Sequence, residues 1–330
     1  GCHDFDISHN IIDNISDGFP AEGVNPNENV YGVAATRVHH STNGDGDTTD
    51  YRPCKKGLIS HNRVSNCANW KALDTHGGVD LVFSHNIIHH AHIGIGVDEG
   101  GGTSARGYAP PRRISITNNI IKSGVSPLEK HRAGITLFAH DNTSENIGSD
   151  FIISGNIIEG FGDFGSDGGL SISNCKLINV SGNIFKKQTN RSVRLKNTVE
   201  ECLITDNLFR DCLTDTSCMG INVSSGTSRA SISGNTFYQS SSLDELEAIT
   251  TVSASAGYGT TLSADNTFVG NVAPVDNIER LSNNSQYIQR IIAQGVVINT
   301  GSASLQKGRG VISVSSSSTG KVVITTEEPI

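Results

Sequence analysis

Ile153-Ser154-Gly155-Asn156-Ile157-Ile158 joins the end of an apolar strand, a short polar step, an asparagine and a new apolar start. The pattern recurs as Ile7-Ser-His-Asn10-Ile-Ile, Ile59-Ser-His-Asn62-Arg-Val, Val82-Phe-Ser-His-Asn86-Ile-Ile and Ile116-Thr-Asn-Asn119-Ile-Ile. It continues as Val180-Ser-Gly-Asn183-Ile-Phe, Ile204-Thr-Asp-Asn207-Leu-Phe, Ile232-Ser-Gly-Asn235-Thr-Phe and Leu262-Ser-Ala-Asp-Asn266-Thr-Phe. From Asn62 to Asn266 the steps are 24, 33, 37, 27, 24, 28 and 31 residues. Strand, Asn turn, strand and loop repeated at this period describe one coil of a parallel β-solenoid. The strands are short, β-branched and alternate with period 2. Asn suits the turn because it tolerates left-handed backbone and its amide bonds local backbone. Stacked Asn residues can also bond one another from coil to coil as a ladder.

A second strand follows each Asn turn. Its apolar centres align as Leu73, Ile95, Ile135, Leu170, Val193, Ile221 and Ile249, with a second inward row at Thr75, Val97, Leu137, Ile172, Leu195, Val223 and Thr251. Period 2 then fixes the outward rows. One contains Asp74, Gly96, Thr136, Ser171, Arg194, Asn222 and Thr250, and the next contains His76, Asp98, Phe138, Ser173 and Lys196. The coil is expected over residues 1–270. Residues 271–292 read as a linker or short helix, and residues 293–330 as a separate small β element with strand patterns but no Asn turn.

Composition narrows the function. The chain has 330 residues and a net charge of −8, 35% hydrophobic residues, 36 glycines, one Met and one Trp. A core of small and β-branched residues argues against a helical bundle. An acidic chain has no surplus of cations for phosphate backbones or anionic membranes, so neither nucleic acid nor a membrane is an expected partner. No apolar run reaches the roughly 18 residues that span a bilayer. Seven cysteines, with no CxxC pair, read as free and mostly buried thiols made in a reducing compartment. The sequence opens directly on a strand pattern with no signal peptide, as a segment of a longer chain would.

The candidate site follows from the outward rows, because solenoids bind ligands along stacked outward positions. Most of the wall is small or neutral. The coils at 70–76 and 92–99 differ, placing Trp70, Asp74, His76, His92, Asp98 and Glu99 on one side beside a row of small residues. Coils about 4.8 Å apart and a two-residue step of about 6.6 Å put the Cα atoms of Asp74 and Asp98 about 8 Å apart. Carboxylates about 6.5 to 9.5 Å apart suit inverting glycoside hydrolysis, one as acid and one as base for water. Glu99 is an alternative to Asp98 in either role. Asp98, one coil from His76 in the same row, is expected to raise its pKa and orient its ring. Trp70 reads as a sugar-stacking platform. Arg132, Arg194 and Lys196 read as contacts for an acidic sugar, and Asp163 and Asp167 as outer contacts.

The loop 37–50 is polar and overhangs the same face, bringing His39 and His40 as further substrate contacts. Its Asn43, Asp45 and Asp47 spacing matches the start of a calcium loop, but the Gly at the sixth position and the Glu at the twelfth are missing, where Thr48 and Cys54 stand. No metal or other cofactor is therefore expected. His39–His40 and His89–His90 are adjacent pairs whose side chains point to opposite faces of a strand. Gly94-x-Gly96 is too short a match to signify a dinucleotide site.

The Ile/Val-x-x-Asn-x-Ile/Phe coils resemble the pectate-lyase-like fold, an all-β, right-handed single-stranded parallel β-helix. Within it they are most similar to bacteriophage tailspikes and preneck appendages. The terminal Gly310-Val-Ile-Ser-Val-Ser-Ser-Ser-Ser-Thr-Gly-Lys-Val-Val-Ile-Thr-Thr resembles the β-rich tip that follows the helix in tail proteins. The resemblance implies a homotrimer in the virion tail, assembled in the host cytoplasm with other tail proteins, that cleaves a bacterial surface polysaccharide or teichoic acid. A secreted bacterial enzyme is the alternative. Asp and Glu pairs on an outer face are common in the family and correspond here to Asp74, Asp98 and Glu99 by position on the fold. Leu73-Asp-Thr-His76 also resembles the Asp-Pro-His motif of alginate epimerases and lyases, with Thr75 in place of Pro and no preceding Tyr-Gly-Phe. That chemistry uses His76 as base and a cation such as Arg132 or Arg194 for the uronic carboxylate. A non-catalytic glycan-binding adhesin is the third reading.

Overall fold

The computed structural model describes residues 2–15, 31–36, 53–99, 110–124, 132–139, 147–162, 167–213, 218–224, 226–251, 261–262, 265–275, 297–298, 311–316 and 321–326. They form the parallel β-helix expected from the Asn spacing. Each coil contributes three strand segments, and each segment pairs in parallel with its counterpart one coil away. On the first face His3–Ser8 pairs with Lys55–Ser60, which pairs with Val79–Ser84, then Arg112–Thr117, then Gly148–Ser154. On the second, the short segment Ile157–Glu159 lies between Ile120–Lys122 and Ile184–Lys186. The third face carries the apolar centres in the expected register: Val33 opposes Leu73, and Leu73, Ile95, Ile135, Leu170, Val193, Ile221 and Ile249 follow one another coil by coil. The row of small residues expected on the outer wall faces the core instead: a Cβ at Gly94 would meet Ile121, and one at Gly134 would meet Ile158. Among the described residues no helix is long and apolar enough to cross a membrane.

The Asn turns account for the stacking. The side-chain Oδ1 of Asn183 accepts the backbone N–H of Asn156 at 3.0 Å and its Nδ2–H at 2.9 Å. The same pair of bonds joins Asn10 to Asn62 and continues through Asn86, Asn119, Asn156, Asn183, Asn207 and Asn235 to Asn266. Asn62, Asn86, Asn119, Asn156, Asn183, Asn207 and Asn235 are essentially fully buried. One detail differs from expectation. The left-handed residue is the one before each Asn, with φ of 59° at His9, 55° at His61, 56° at His85, 66° at Gly155 and 63° at Gly182. His, Asn, Asp and Gly, the residues that tolerate this region, occupy that position, which frees Asn to turn inward. As a result His9, His61 and His85 stack with ring centroids 5.0 Å apart.

The core fills the coil with like on like. Ile88, Ile121, Ile158, Phe185, Phe209 and Phe237 form one inward column of fully buried side chains. Its rings stack at centroid distances of 5.2 Å for Phe185–Phe209, 4.6 Å for Phe209–Phe237 and 5.5 Å for Phe237–Phe268.

Two expectations need revision. Val272–Val275 pairs with Leu246–Thr251, so the coil continues into the stretch read as a linker; residues 276–292 lie outside the described residues. The cysteines are not all free: Cys212 and Cys218 form a disulfide with Cα atoms 5.9 Å apart. They lie six residues apart and span the connection between Leu208–Arg210 and Cys218–Val223 of one coil, a proximity that spacing alone does not show. Cys54, Cys67, Cys175 and Cys202 are buried thiols and Cys2 is exposed. Val297–Ile298, Val311–Ser316 and Lys321–Thr326 form a separate three-stranded antiparallel sheet.

Candidate functional site

The long strand Arg63–His76 turns a corner at a register shift between Cys67 and Lys71. Beyond the shift, Asp74 opposes Gly96 and His76 opposes Asp98 on the strand Ile87–Asp98. The two coils therefore meet where ionisable residues are densest, and the structure adds Lys71, which the sequence reading did not include. The Lys71 ammonium lies 2.8 Å from Asp74 Oδ1 and 2.5 Å from Asp98 Oδ2. Its side chain is 1% exposed. Tyr31 and Trp70 present their ring faces to it, 5.9 and 5.5 Å from Nζ to the centroids. Cations favour such positions over aromatic faces.

The stem of Lys71 crosses Gly96. A Cβ at position 96 would lie 2.4 Å from Lys71 Cδ and 2.9 Å from Asp74 Oδ1. Gly96→Ala is therefore expected to displace the lysine. It should cost roughly 1–3 kcal/mol as an overpacked substitution, visible as a drop of several degrees in Tm. If Gly96→Ala leaves both Tm and activity unchanged, Lys71 does not run this course.

Asp74 was expected on an open wall and is fully buried. Its other oxygen, Oδ2, stands 3.0 Å from His76 Nε2, an ion-pair approach whose angle falls short of a good hydrogen bond. Two further expectations are corrected. The carboxylate that orients His76 is Asp74 rather than Asp98, because Lys71 takes Asp98. Asp74 is also withdrawn from the acid–base pair, because it is fully buried and held by the Lys71 ammonium. A ring nitrogen of His76 and one oxygen from each carboxylate all lie within 4.8 Å of one another.

His76 Nδ1 lies 3.3 Å from the backbone oxygen of Glu99. Each ring nitrogen thus faces an oxygen, Nε2 that of the Asp74 carboxylate and Nδ1 that of the Glu99 backbone. Burial lowers the His76 pKa, but contact with the Asp74 carboxylate outweighs it, and the pKa is raised above its ordinary value. Burial likewise opposes the charge on Lys71, and Asp98 and Asp74 overcome it, so its pKa is also raised. For Tyr31, burial and the Asp74 charge both push the phenol upward.

Around this centre, Trp70 stacks on His92 with centroids 5.9 Å apart and planes 16° apart. The Tyr31 ring meets His76 edge-on at 6.3 Å. Asp98 is 21% exposed and His76 30% exposed, so these two polar groups reach solvent where Asp74 and Lys71 do not. The Glu99 side chain is buried, and its backbone N–H bonds Phe138 O at 2.8 Å.

The basic residues farther along the coil form a separate cluster. Arg132 Nε bonds Asp167 Oδ2, and Ser171 Oγ donates to Asp167 Oδ1 at 3.1 Å. Arg194 Nη1 is 4.0 Å from Asp167 Oδ1. Asp167 thus anchors arginines instead of facing outward alone. Lys196 is half-buried in register with Ser173. His39, His40, Asp163 and the Asn43, Asp45 and Asp47 of the polar loop lie outside the described residues.

Sequence reasoning missed Lys71 and Tyr31. The available signal was a lysine flanked by Trp70, Ala72 and Leu73, an ionisable group where the period demands an apolar one.

No family model and no curated protein matches the chain. Among solved structures it is similar to an alginate lyase from Paenibacillus sp. str. FPU-7, with a TM-score of 0.48 and 13% identity over 75% of this chain and 77% of that one. It is similar to a DFA-IIIase from Arthrobacter chlorophenolicus A6 in complex with GF2, with a TM-score of 0.43 and 15% identity over 86% and 74%. It is also similar to a tailspike protein of E. coli bacteriophage HK620, with a TM-score of 0.42 and 13% identity over 69% of this chain and 47% of that one. At these identities the likeness concerns the coil alone.

Proposed function

We propose that the wall at Trp70, His76 and Asp98 binds and cleaves a bacterial cell-surface polysaccharide by hydrolysis, with His76 as proton donor and Asp98 as base. The observation that carries this reading is the His76 ring, its Nε2 3.0 Å from a sealed Asp74 oxygen, beside a partly exposed Asp98 carboxylate. Nδ1 makes only a long contact to Glu99 O, so its proton is the one available to a ligand. In the reaction, Nδ1–H protonates the glycosidic oxygen as the bond to the anomeric carbon breaks. Asp98 takes a proton from the water that adds to that carbon, and solvent exchange returns both groups to their starting states. Lys71 holds Asp98 in place through an ion pair at 2.5 Å. Trp70 and Tyr31 offer apolar ring faces to a sugar. Asp74 acts through His76 and Lys71 and touches no substrate, which makes it a positioning residue.

Elimination at a uronate is the weaker reading. It needs a cation for the uronic carboxylate, and Lys71 already serves two carboxylates while Arg132 bonds Asp167. We assign the activity to a trimeric virion-tail protein of the tailspike or preneck-appendage type. That assignment rests on the resemblance of the Asn-turn coils and the terminal strands.

The test is a panel of capsular, O-antigen and teichoic-acid polymers, read by viscosity, new reducing ends and ultraviolet absorbance. New reducing ends without absorbance support hydrolysis; absorbance from an unsaturated end shows elimination; binding without either shows an adhesin. The pH profile supplies a further check. His76 is raised, so its proton and its stabilising ion pair are fully present below the ordinary imidazole value of about 6.5. Both are lost as pH rises through the raised value. Cleavage should therefore persist above neutral ordinary-histidine titration and fall on the alkaline side. A rate that rises steadily through that range would exclude His76 as the acid.

A further inference from the structure

Asp74, His76 and Asp98 supply a carboxylate oxygen, a ring nitrogen and a second carboxylate oxygen, all within 4.8 Å of one another. Carboxylates and imidazole are the donors that divalent cations use. Among the described residues no other group of three His, Cys, Asp or Glu side chains converges this way. Yet an ammonium already stands there, 2.8 Å from one carboxylate and 2.5 Å from the other. Its approach is built into the backbone, since the stem lies across Gly96, where any Cβ would collide with it. Two aromatic faces close its other side. The ammonium thus already occupies the position between the two carboxylates that a cation would take. A divalent ion placed among these donors would meet the ammonium at contact distance.

We propose that Lys71 takes the place of a divalent cation in a three-donor cation slot. The wild-type site then works without a metal, and removing the ammonium opens the slot to one. Lys71 is in this view a positioning residue that draws Asp74 and Asp98 together. The activity arm of the test rests on the hydrolytic reading above; the cation-binding arm rests on geometry alone.

The experiment is a titration of the whole protein with CaCl2, MgCl2, MnCl2 and ZnCl2, followed by calorimetry and thermal melting, on wild type, Lys71→Ala and Lys71→Gln. Wild type should bind none of these ions at the site and should keep its cleavage in EDTA. Lys71→Ala, left with two buried carboxylates, should melt lower in EDTA and gain a saturable one-to-one cation site. At a hundredfold excess over Kd, its Tm should recover by roughly 5 °C or more. The added variant Lys71→Ala/Asp98→Asn should lose that cation response. Lys71→Gln covers the case in which the alanine variant does not fold in EDTA. The proposal is overturned if wild type binds a cation that Asp98→Asn abolishes, or if a folded Lys71 variant binds none at millimolar concentration. It is equally overturned if neither Lys71 variant folds with cation present. Loss of wild-type cleavage in EDTA overturns metal independence. Absence of cleavage from every polymer, with the cation results as expected, counts against the hydrolytic reading alone.

Discussion

Asp98→Asn should lower the rate of polymer cleavage by roughly a hundred- to ten-thousandfold, the range lost with a general base, while polymer affinity stays within a few-fold. The amide keeps the size of the carboxylate and can still accept from Lys71, and Lys71 retains Asp74 at 2.8 Å, so the fold should survive. The measurements are kcat on the cleaved polymer, Kd for an uncleaved fragment, and Tm. A variant retaining more than about a tenth of wild-type kcat removes Asp98 from the chemistry. Asp74→Asn separates positioning from proton transfer. It leaves Asp98 and Lys71 paired but takes the charge from behind His76, so the alkaline limb of the pH profile should move to lower pH. An unchanged limb would mean that His76 does not carry the proton.

Asn183→Ala should be among the most destabilising single substitutions in the coil. Asn183 Oδ1 accepts from both N–H and Nδ2–H of Asn156, and its own Nδ2 donates to Asn207 Oδ1 at 3.0 Å and Ile153 O at 2.8 Å. Alanine leaves the Asn156 amide, its side-chain NH2 and the Ile153 carbonyl buried without these partners. At about 1–3 kcal/mol for each unsatisfied group, the loss is about 3–6 kcal/mol after partial relaxation. That is a large part of a typical domain stability of about 5–15 kcal/mol, and Tm should fall by about 4–9 °C. Asn10 is exposed and, among the described residues, has a ladder neighbour on one side only. Asn10→Ala should cost about 1 kcal/mol or less. Equal losses at Asn10 and Asn183 in urea denaturation would show that the ladder does not carry the stacking energy.

The coil was legible because its signal is repetitive. Nine Asn turns and seven aligned apolar centres fix one another's register, and a slip of one residue would turn every strand inside out. The site was less legible for three physical reasons. Parity counted back from Leu73 would put Lys71 inside, yet the row of Ala72 takes the core side, since a Cβ at Gly94 in that row would meet Ile121, and parity cannot announce its own exception. Asp74 lies in an outward row, but the lysine stem and the histidine ring seal it, and burial of that kind is a property of neighbours rather than of spacing. Arg132, Asp167 and Arg194 were identified singly, whereas Asp167 joins them across coils. The Cα geometry placed Asp74 and Asp98 near each other correctly in sequence terms, but side-chain reach, drawn in by one ammonium, brought their oxygens closer than backbone spacing implied.

Every interior Asn offers the same acceptor to one neighbour and the same two donors to the other, so any coil mates with any other across an identical seam. Gene segments encoding single turns can therefore be duplicated or deleted in frame without inventing a new junction. The shaft is free to change length over generations, provided that the three consecutive turns bearing Tyr31, Lys71 and Asp98 stay together.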